Sequence, residues 1–174
     1  MREATFVLGG CRSGKSSHAL ALAQKRLGAE NCFIATCVPY DDEMNDRVRR
    51  HQAERGENWR TVDAPLELPA AVEKQGRTAD VMVVDCLTLW MNNLIMDDRT
   101  DEAVSDTVDH LTAALDNVQC PVFVVSNEVG TGIVPENQLA RRFRDLTGFA
   151  NQRVAECADQ VVWMVAGIPV RIKG

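Results

Sequence analysis

The sequence lacks any apolar run near the length of about 18 residues that a membrane-spanning helix requires. Its start also lacks the basic region, apolar core and small-residue cleavage site of an export signal. We therefore expect a soluble, cytoplasmic protein. With 174 residues and no internal repeat, the chain is expected to form one domain over residues 1–174, because this length rarely supports two cores.

Paired cysteines are absent too. The six cysteines contain no CxxC pair, and the three histidines form no zinc-binding spacing with them. Most of the cysteines lie in or beside apolar runs. This distribution predicts reduced thiols that pack in the interior, and it argues against a disulfide framework or a structural metal site.

An excess of positive charge is the third absence. Nineteen Lys and Arg residues against 25 Asp and Glu give a net charge of −6, whereas nucleic-acid binding depends on neutralising phosphates with Lys and Arg. The balance argues against a nucleic-acid partner. Five arginines nevertheless crowd into residues 47–60, which predicts a local anion site; they are Arg47, Arg49, Arg50, Arg55 and Arg60.

Continuous apolar runs predict five strands covered on both faces of a sheet. They span residues 5–10, 31–37, 81–87, 121–128 and 160–167. Apolar residues at helical spacing predict core-facing helices at 104–115 and 139–157. Alternating strands and helices predict an α/β fold with a mostly parallel sheet, and the last residues, "GIPVRIKG", predict a small terminal hairpin.

A phosphate-binding loop is predicted between the first strand and the next helix. "GGCRSGKS" satisfies G-x-x-x-x-G-K-[ST] in the strand-to-helix context that this motif requires. Backbone N–H groups and the helix N-terminus would face the phosphates, with Lys15 on the outer phosphates and the Ser16 hydroxyl on Mg²⁺. The nucleotide-binding residues predicted here are Gly9, Gly10, Cys11, Arg12, Ser13, Gly14, Lys15 and Ser16. The competing interpretation is a glycine turn before an ordinary amphipathic helix.

Polar residues follow two of the predicted strands. Asp85 comes after four apolar residues in "VMVVDC", where a P-loop enzyme places the carboxylate that orients magnesium. The alternative is an aspartate that caps the turn after a strand. Ser126, Asn127 and Glu128 occupy the analogous end of another strand, where they either position a substrate or begin a loop.

A histidine stands within the arginine-rich segment. Residues 41–55 predict a helix, whose spacing places His51 on the same face as Arg47 and Arg55. Nearby positive charge disfavours protonation of the imidazole, so His51 would keep a free lone pair beside groups that bind phosphate. This arrangement suits nucleophilic attack on phosphorus. The spacing is equally compatible with a solvated, arginine-rich helix that contains an incidental histidine.

Several motifs together resemble the bifunctional adenosylcobinamide kinase / adenosylcobinamide-phosphate guanylyltransferase family of cobalamin biosynthesis. The match runs nearly end to end. "GGCRSGKS", "IATC" followed by "DDEMNDRVRRH", and "WRTVDAP" all resemble family segments. The long "SNEVGTGIVPENQLARRFRDLTGFANQRVA" is similar to the family signature, which is far more specific than the P-loop.

The resemblance implies a RecA-like P-loop fold, a homotrimer and two reactions. In the first reaction, a nucleoside triphosphate, ATP or GTP, phosphorylates the hydroxyl of adenosylcobinamide. In the second, His51 attacks the α-phosphate of GTP and carries GMP to adenosylcobinamide phosphate. Lys15 and His51 are thereby the catalytic residues, and Ser16 and Asp85 the Mg²⁺ ligands. The resemblance further places at the nucleotide Thr36, Cys37, Val38, Gln52, Arg55, Asp63 and Asp85.

Three positions depart from the family pattern. Asp85 replaces a glutamate found in some relatives, Cys11 stands where a smaller inert residue is common, and Asp63 stands where Glu is common. Two other functions remain compatible with the residues: a single-activity P-loop kinase of another small alcohol, and a nucleotide-gated binding module. Trp59, Trp90 and Trp163 are either stacking surfaces for a macrocycle or core and interface residues.

Overall fold

The structure is a computed structural model that describes residues 3–39, 42, 46, 49, 52, 55, 56 and 58–174. Within this part of the chain, seven strands form one sheet in the order β3-β2-β4-β5-β1-β6-β7. Six of the strands are parallel, and only β7 runs antiparallel to its neighbour β6. The strands are β1 Glu3–Gly9, β2 Asn31–Ala35, β3 Arg60–Asp63, β4 Val81–Asp85, β5 Pro121–Asn127, β6 Gln160–Val165 and β7 Ile168–Lys173.

Helices connect the parallel strands, as right-handed crossovers require. They are α1 Lys15–Gln24, α2 Leu68–Gln75, α3 Leu87–Met96, α4 Asp101–Asn117 and α5 Gln138–Cys157. Asp42, Asp46, Arg49, Gln52 and Arg55 also have helical backbone conformation. No helix in the described ranges is long and apolar enough to cross a membrane.

Local chemistry accounts for the starts of the two longest helices. The side chain of Thr100 accepts a hydrogen bond from the backbone N–H of Ala103 and so caps α4. The side chain of Asn137 caps α5 in the same way, accepting from the N–H of Ala140 at 3.0 Å. Each cap satisfies a backbone donor that has no partner inside the helix.

The core lies on both faces of the sheet, as the continuous apolar strands predict. Buried apolar side chains form two clusters, and successive residues of β1 contribute to different ones. Phe6 packs in the larger cluster and Val7 in the smaller one. In the same way, Val84 of β4 packs in the larger cluster and Val83 in the smaller one. Two-sided burial therefore fixes every central strand between helical layers.

The five predicted strands are confirmed as β1, β2, β4, β5 and β6, with ends that differ by one or two residues. The helices predicted at 104–115 and 139–157, the helix predicted after the P-loop and the terminal hairpin are also present, as α4, α5, α1 and β6–β7. The prediction that Leu139 faces the core is wrong, because this side chain is half-exposed at the start of α5. The sequence did not predict β3, α2 or α3.

The carboxyl ends of the parallel strands bring distant residues to one edge of the sheet. Ala35, which ends β2, pairs with Asp63 of β3 on one side and with Asp85 of β4 on the other. Gly9 of β1 pairs with Asn127 of β5. In open α/β sheets, ligands bind in the crevice outside these carboxyl ends. The ligand-binding site is therefore expected at this edge.

Candidate nucleotide-binding site

The loop between β1 and α1 has the backbone of a phosphate-binding loop. Arg12 and Gly14 have positive φ angles of 54° and 87°, so the chain turns sharply just before Lys15 begins α1. Gly9 is required by close packing, because an added Cβ would lie 2.5 Å from Ser13 Oγ and 2.7 Å from the Met164 carbonyl oxygen. The loop is thus curled tightly over the end of β1.

The loop's polar groups are held ready for an anion. Lys15 Nζ donates to the Gly10 carbonyl oxygen at 3.1 Å, which folds the ammonium back over the loop. The Ser13 N–H also donates to Gly10 O, at 3.3 Å, and the Gly167 N–H donates to Ser13 O at 3.1 Å. Ser13 Oγ is buried without a hydrogen-bond partner among the described residues. An orphaned buried hydroxyl beside a lysine fits a loop built to receive phosphate oxygens.

A cavity of about 390 Å³ opens beside this loop. It contains two cationic side chains, Lys15 and Arg55, and two carboxylates, Asp63 and Asp85. Its size and mixed apolar and polar wall are typical of small-molecule sites. The cavity is lined by Lys15, Ser16, Phe33, Ala35, Cys37, Pro39, Gln52, Arg55, Asp63, Asp85, Cys86, Leu89 and Asn127.

Arg55 is a buried charged residue in the wall of this cavity, since it is only 8% exposed. Its guanidinium carbon lies 3.6 Å from the centroid of the Phe33 ring, a cation–π stack. Its only hydrogen bond to a described residue is a long one to Thr61 Oγ1, at 3.4 Å. Burial lowers the pKa of the Arg55 guanidinium, and the carboxylates of Asp85 and Asp63 oppose that shift. Arg55 is therefore a positioned cation whose remaining N–H donors suit phosphate oxygens.

Thr36 lies behind the cavity and not in its wall. It is fully buried. Its hydroxyl donates to the Cys86 carbonyl oxygen at 2.7 Å and accepts from the Cys86 N–H at 2.9 Å. Its carbonyl oxygen accepts from Asn93 Nδ2 at 2.8 Å. The side chain of Thr36 thus joins the end of β2 to the residue after Asp85. Its predicted contact with the nucleotide stays a prediction.

A second cavity, of about 270 Å³, lies on the other side of the P-loop. The predicted residues Gly10, Cys11, Arg12 and Ser13 line it, together with the half-exposed Trp163. Trp59 is buried and Trp90 is fully buried, with its Nε1 donating to Leu66 O at 2.9 Å. Those two tryptophans are core residues and not exposed stacking surfaces. The remaining predicted residues, which line neither of these two cavities, are Gly9, Gly14, Thr36 and Val38.

His51 lies outside the described residues, as do Arg47 and Arg50 of the arginine cluster. Gln52, the next residue, does line the large cavity, as does Arg55. Of this segment, the structure therefore places Gln52 and Arg55 at the cavity. The role of His51 as nucleophile stays a prediction.

The donor set fits magnesium. Ser16 and Asp85 both line the large cavity, and each offers oxygen, the ligand that Mg²⁺ prefers. The part of the chain that the structure describes contains no cluster of three or more His, Cys, Asp or Glu residues suited to a metal. Mg²⁺ in nucleotide sites is usually held by one or two protein oxygens together with phosphates and water. A pair of protein oxygens beside a phosphate loop is consistent with that pattern.

Sequence reasoning missed some of the cavity's residues. Phe33 belongs to the strand "NCFIATC" and carries no polar signal, so only its stack with Arg55 reveals it. Cys86 and Leu89 follow Asp85 closely in the chain and line the cavity because α3 begins at once. For Asn127, at a strand end, the sequence leaves open whether it positions a substrate or begins a loop, and its pairing with Gly9 brings it beside the P-loop.

Comparison with solved structures supports a P-loop, RecA-like fold. An ATPase domain matches with a TM-score of 0.52 at 11% identity, covering 93% of this chain and 69% of that one. The flagellar accessory protein FlaH from Methanocaldococcus jannaschii matches with a TM-score of 0.50 at 12% identity, covering 98% of this chain and 78% of that one. At such identities the likeness concerns the fold alone.

Comparison of sequences is more specific. The chain is 38% identical over 169 residues to the bifunctional adenosylcobalamin biosynthesis protein CobP of Pseudomonas aeruginosa, covering 97% of this chain and 96% of the relative. It is 37% identical over 180 residues to the bifunctional adenosylcobalamin biosynthesis protein CobU of Escherichia coli, covering 97% and 98%. A family model described as cobinamide kinase / cobinamide phosphate guanyltransferase matches residues 5–172. The chain therefore belongs to the cobinamide kinase / cobinamide phosphate guanyltransferase family.

Proposed function

We propose that this chain catalyses both reactions of its family, first as an adenosylcobinamide kinase and then as an adenosylcobinamide-phosphate guanylyltransferase. The observation that carries the proposal is the shared cavity at the P-loop, which combines Lys15 and Arg55 with Asp63 and Asp85. Two cations suit a polyphosphate, and the carboxylates suit its metal ion and its hydroxyl groups. Family membership supplies the corrinoid as the second substrate.

The kinase step transfers the γ-phosphate of ATP or GTP to the hydroxyl of the aminopropanol arm. A bond forms between the hydroxyl oxygen and the γ-phosphorus, the bond from that phosphorus to the β-phosphate oxygen breaks, a nucleoside diphosphate leaves, and the hydroxyl proton is released to solvent. Positioning and charge stabilisation carry most phosphoryl transfers. Lys15, held over the loop by Gly10, would neutralise charge that moves onto the phosphate oxygens in this step.

The guanylyltransferase step would use His51 as its nucleophile. An imidazole nitrogen of His51 forms a bond to the α-phosphorus of GTP, and pyrophosphate leaves with the electrons of the broken bond. A phosphate oxygen of adenosylcobinamide phosphate then displaces the histidine, giving adenosyl-GDP-cobinamide. Arg55, a buried cation in the nucleotide cavity, would stabilise the α-phosphate. Covalent catalysis divides one transfer into two easier steps.

Ser16 and Asp85 would hold Mg²⁺ at the phosphates. A bound ion would neutralise negative charge on the phosphate oxygens. Asp85, one methylene shorter than glutamate, would hold the ion through water. Gly9 to Ser16, Cys37, Gln52 and Asp63 would contact the nucleotide.

We further propose a cytoplasmic homotrimer, as the family resemblance implies. One face of the β6–β7 hairpin supports self-association because it exposes a contiguous apolar surface. Trp163 pairs with Val170, and Val165 pairs with Ile168, so these side chains share that face. All four are at least 41% exposed, and Ile172 extends the same stripe. Exposed apolar surfaces of this kind are typical of interaction sites.

The decisive experiment is intact-mass spectrometry after incubation with GTP and Mg²⁺ in the absence of a corrinoid. The parent protein is expected to gain the mass of one GMP, as an acid-labile and base-stable adduct, and His51→Ala to gain none. His110→Ala is the matched control, because His110 is an exposed histidine on α4. This control should label like the parent.

The other outcomes separate the alternatives. Labelling that persists in His51→Ala would move the nucleophile to another residue. No labelling of any variant, together with phosphorylation of adenosylcobinamide, would leave a kinase alone. The absence of both activities, with nucleotide binding retained, would favour a nucleotide-gated binding module.

A further inference from the structure

The second cavity, of about 270 Å³ beside the P-loop, contains a carboxylate that nucleotide binding does not use. Among the described residues that line it, one is negatively charged, Glu128, and one is positively charged, Arg12. The end of β6 and the turn after it supply an apolar wall, residues 163–166. Arg12 and Thr131 in the wall are exposed. A ligand can therefore reach the cavity from solvent.

The carboxylate of Glu128 is held in place by the turn after β5. The Glu128 N–H donates to the Gly9 carbonyl oxygen at 3.1 Å, and Glu128 Oε1 accepts from the Gly130 N–H at 2.6 Å. The Gly130 carbonyl oxygen in turn accepts from Arg144 Nη2 on α5. The turn is thus tied to both β1 and α5. An ionised carboxylate accepts several hydrogen bonds, so the bond from Gly130 leaves room for a substrate hydroxyl.

This cavity lies at the outer-phosphate end of the nucleotide site. In P-loops the lysine reaches the β- and γ-phosphates, and Lys15 Nζ lies 3.1 Å from the Gly10 carbonyl oxygen. Lys15 lines the large cavity, whereas Gly10 lines the second one. Two consecutive residues at the end of β5 divide in the same way, Asn127 to the large cavity and Glu128 to the second. The two cavities therefore flank the place where the γ-phosphate is expected.

The geometry of phosphoryl transfer gives the second cavity a role. The attacking and leaving oxygens lie roughly in line, on opposite sides of the phosphorus. A nucleotide in the large cavity has its leaving β-phosphate on that side, so the acceptor hydroxyl must approach from the side of the second cavity. At about 270 Å³ this cavity is smaller than most sites that enclose a whole ligand. It suits the short arm that carries the hydroxyl and not the macrocycle.

Glu128 is better placed than Asp63 or Asp85 to receive the proton of that hydroxyl. Both aspartates line the large cavity, on the side of the nucleotide, and Asp85 is the proposed ligand of Mg²⁺. A carboxylate beside a divalent cation is a weaker base, because the ion stabilises its negative charge. Glu128 lies on the side from which the acceptor approaches.

We propose that the second cavity receives the aminopropanol arm of adenosylcobinamide and that Glu128 is the general base of the kinase reaction. The carboxylate takes the hydroxyl proton as the hydroxyl oxygen bonds to the γ-phosphorus and the bond from that phosphorus to the β-phosphate oxygen breaks. The nucleoside diphosphate leaves with the electrons of the broken bond, and Glu128 passes the proton to solvent. This inference rests on the proposed function, because the kinase reaction supplies both the hydroxyl and the phosphate.

Glu128→Gln tests the proposal, since the amide keeps the shape of the side chain and an oxygen for the Gly130 N–H but is not a base. The kcat for phosphorylation of adenosylcobinamide should fall about 100-fold or more, the usual contribution of a general base. The KM for the nucleotide should stay unchanged. Labelling by GTP without a corrinoid should match the parent, because no hydroxyl is deprotonated in that step. The melting temperature should also match the parent.

Glu102→Gln is the matched control, because it makes the same chemical change at an exposed position in the first turn of α4. Glu102 lines neither of the two cavities, so this variant should keep both activities.

Glu128→Ala gives a second test, which does not depend on how well Glu128→Gln folds. Formate is a small carboxylate that fits the space left by the side chain. It should raise the kinase turnover of Glu128→Ala, whereas chloride at the same ionic strength should not.

The outcomes separate this inference from the proposed function. If the parent phosphorylates adenosylcobinamide, a kcat of Glu128→Gln close to that of the parent overturns this inference alone. Loss of both activities and a lower melting temperature in Glu128→Gln, without rescue of Glu128→Ala by formate, would mean that Glu128 only holds the turn after β5, and also overturns it. If the parent does not phosphorylate adenosylcobinamide, the proposed function fails and this inference fails with it.

Discussion

The Thr36 hydroxyl makes two hydrogen bonds to one residue, donating to the Cys86 carbonyl oxygen at 2.7 Å and accepting from the Cys86 N–H at 2.9 Å. Cys86 directly follows Asp85, to which it is joined by a cis peptide bond. The Thr36 N–H also donates to the Asp85 carbonyl oxygen at 3.3 Å. These contacts fix the backbone at the end of β4, where the proposed magnesium ligand lies.

Thr36→Val should therefore destabilise the protein although it keeps the shape of the side chain. The substitution leaves the buried N–H of Cys86 without a partner and removes one of the two hydrogen bonds to its carbonyl oxygen, which also accepts from the Trp90 N–H at 3.2 Å. The expected cost is about 2 kcal/mol in the free energy of unfolding. Urea unfolding followed by circular dichroism measures the change. Thr36→Ser, which keeps the hydroxyl, should lose much less. Equal losses for the two variants would mean that methyl packing, and not the hydrogen-bond pair, stabilises this junction.

Arg55→Lys should weaken the proposed GTP reaction despite conserving the charge. Lysine loses the planar group that stacks 3.6 Å from the Phe33 ring centroid and the forked donors that match phosphate. The GTP concentration for half-maximal guanylylation should rise roughly tenfold, the effect of one lost charge-assisted hydrogen bond. Labelling at a series of GTP concentrations measures it.

Arg77→Lys is the control for Arg55, because Arg77 is exposed and forms a surface ion pair with Glu73. Surface ion pairs contribute little, so this variant should label like the parent. If Arg55→Lys also labels like the parent, Arg55 has no specific role in GTP binding.

The cysteines should differ sharply in reactivity towards iodoacetamide. Cys11 is exposed on the P-loop and should be alkylated first. Burial raises the pKa of the Cys32 thiol to about 11 and that of Cys86 to about 12, so these two should react slowest, because the thiolate is the reacting form. Peptide mass spectrometry over a time course measures the order.

Bound nucleotide gives an internal check on that order. Cys37 lines the nucleotide cavity, so GTP should slow its alkylation and leave the rate at Cys120 unchanged. Cys120 is buried elsewhere, beside the start of β5. Alkylation of Cys86 ahead of Cys11 would contradict the burial described here.

Cys86 should also make stability fall at alkaline pH. Burial, helped by the neighbouring Asp85 carboxylate, raises the pKa of its thiol from 9.0 to about 12. Between these values the folded protein keeps the thiol proton, whereas the unfolded chain releases it. The contribution of Cys86 to the free energy of unfolding is therefore fully present below about pH 9 and is lost as the pH rises towards 12. The slope approaches about 1.4 kcal/mol per pH unit for one proton.

The comparison with Cys86→Ala isolates this thiol from other groups that titrate at high pH. The variant should start from a lower stability, because a packed side chain is lost, but its stability should decline less steeply above pH 9. Cys11→Ala, at an exposed position, should keep the parent slope. Parallel curves for the parent and Cys86→Ala would show that the thiol does not titrate differently in the folded state.

Some elements escaped prediction for reasons that lie in their surroundings. In α3, residues 87–96 are mostly buried, so the helix has no polar face to give a 3.6-residue period, and it merges with the apolar run of β4. In β3, "RTVD" is polar and short, and only its pairing with β2 makes it a strand. Both cases are local patterns overridden by tertiary packing.

The features of the site also differ in whether the sequence predicts them. The P-loop was predictable because its glycines, lysine and serine act through backbone geometry within eight residues of sequence. The stack of Arg55 on Phe33 and the hydrogen bond from the Asn151 side chain to the Asn127 carbonyl oxygen were not, because each joins residues that are far apart in the chain. Which residues come into contact depends on the order of the strands in the sheet and on which face of a helix packs against the end of a strand.

The sequence by itself determined the α/β class, the central strands and the phosphate loop, since these follow from continuous apolar runs and short-range motifs. Tertiary structure alone decided which carboxyl ends became neighbours. The order β3-β2-β4-β5-β1 brings Asp63, Asp85 and Asn127 to one edge. It also decided which polar atoms remained without partners, because whether an atom is satisfied depends on packing contacts that no local pattern encodes.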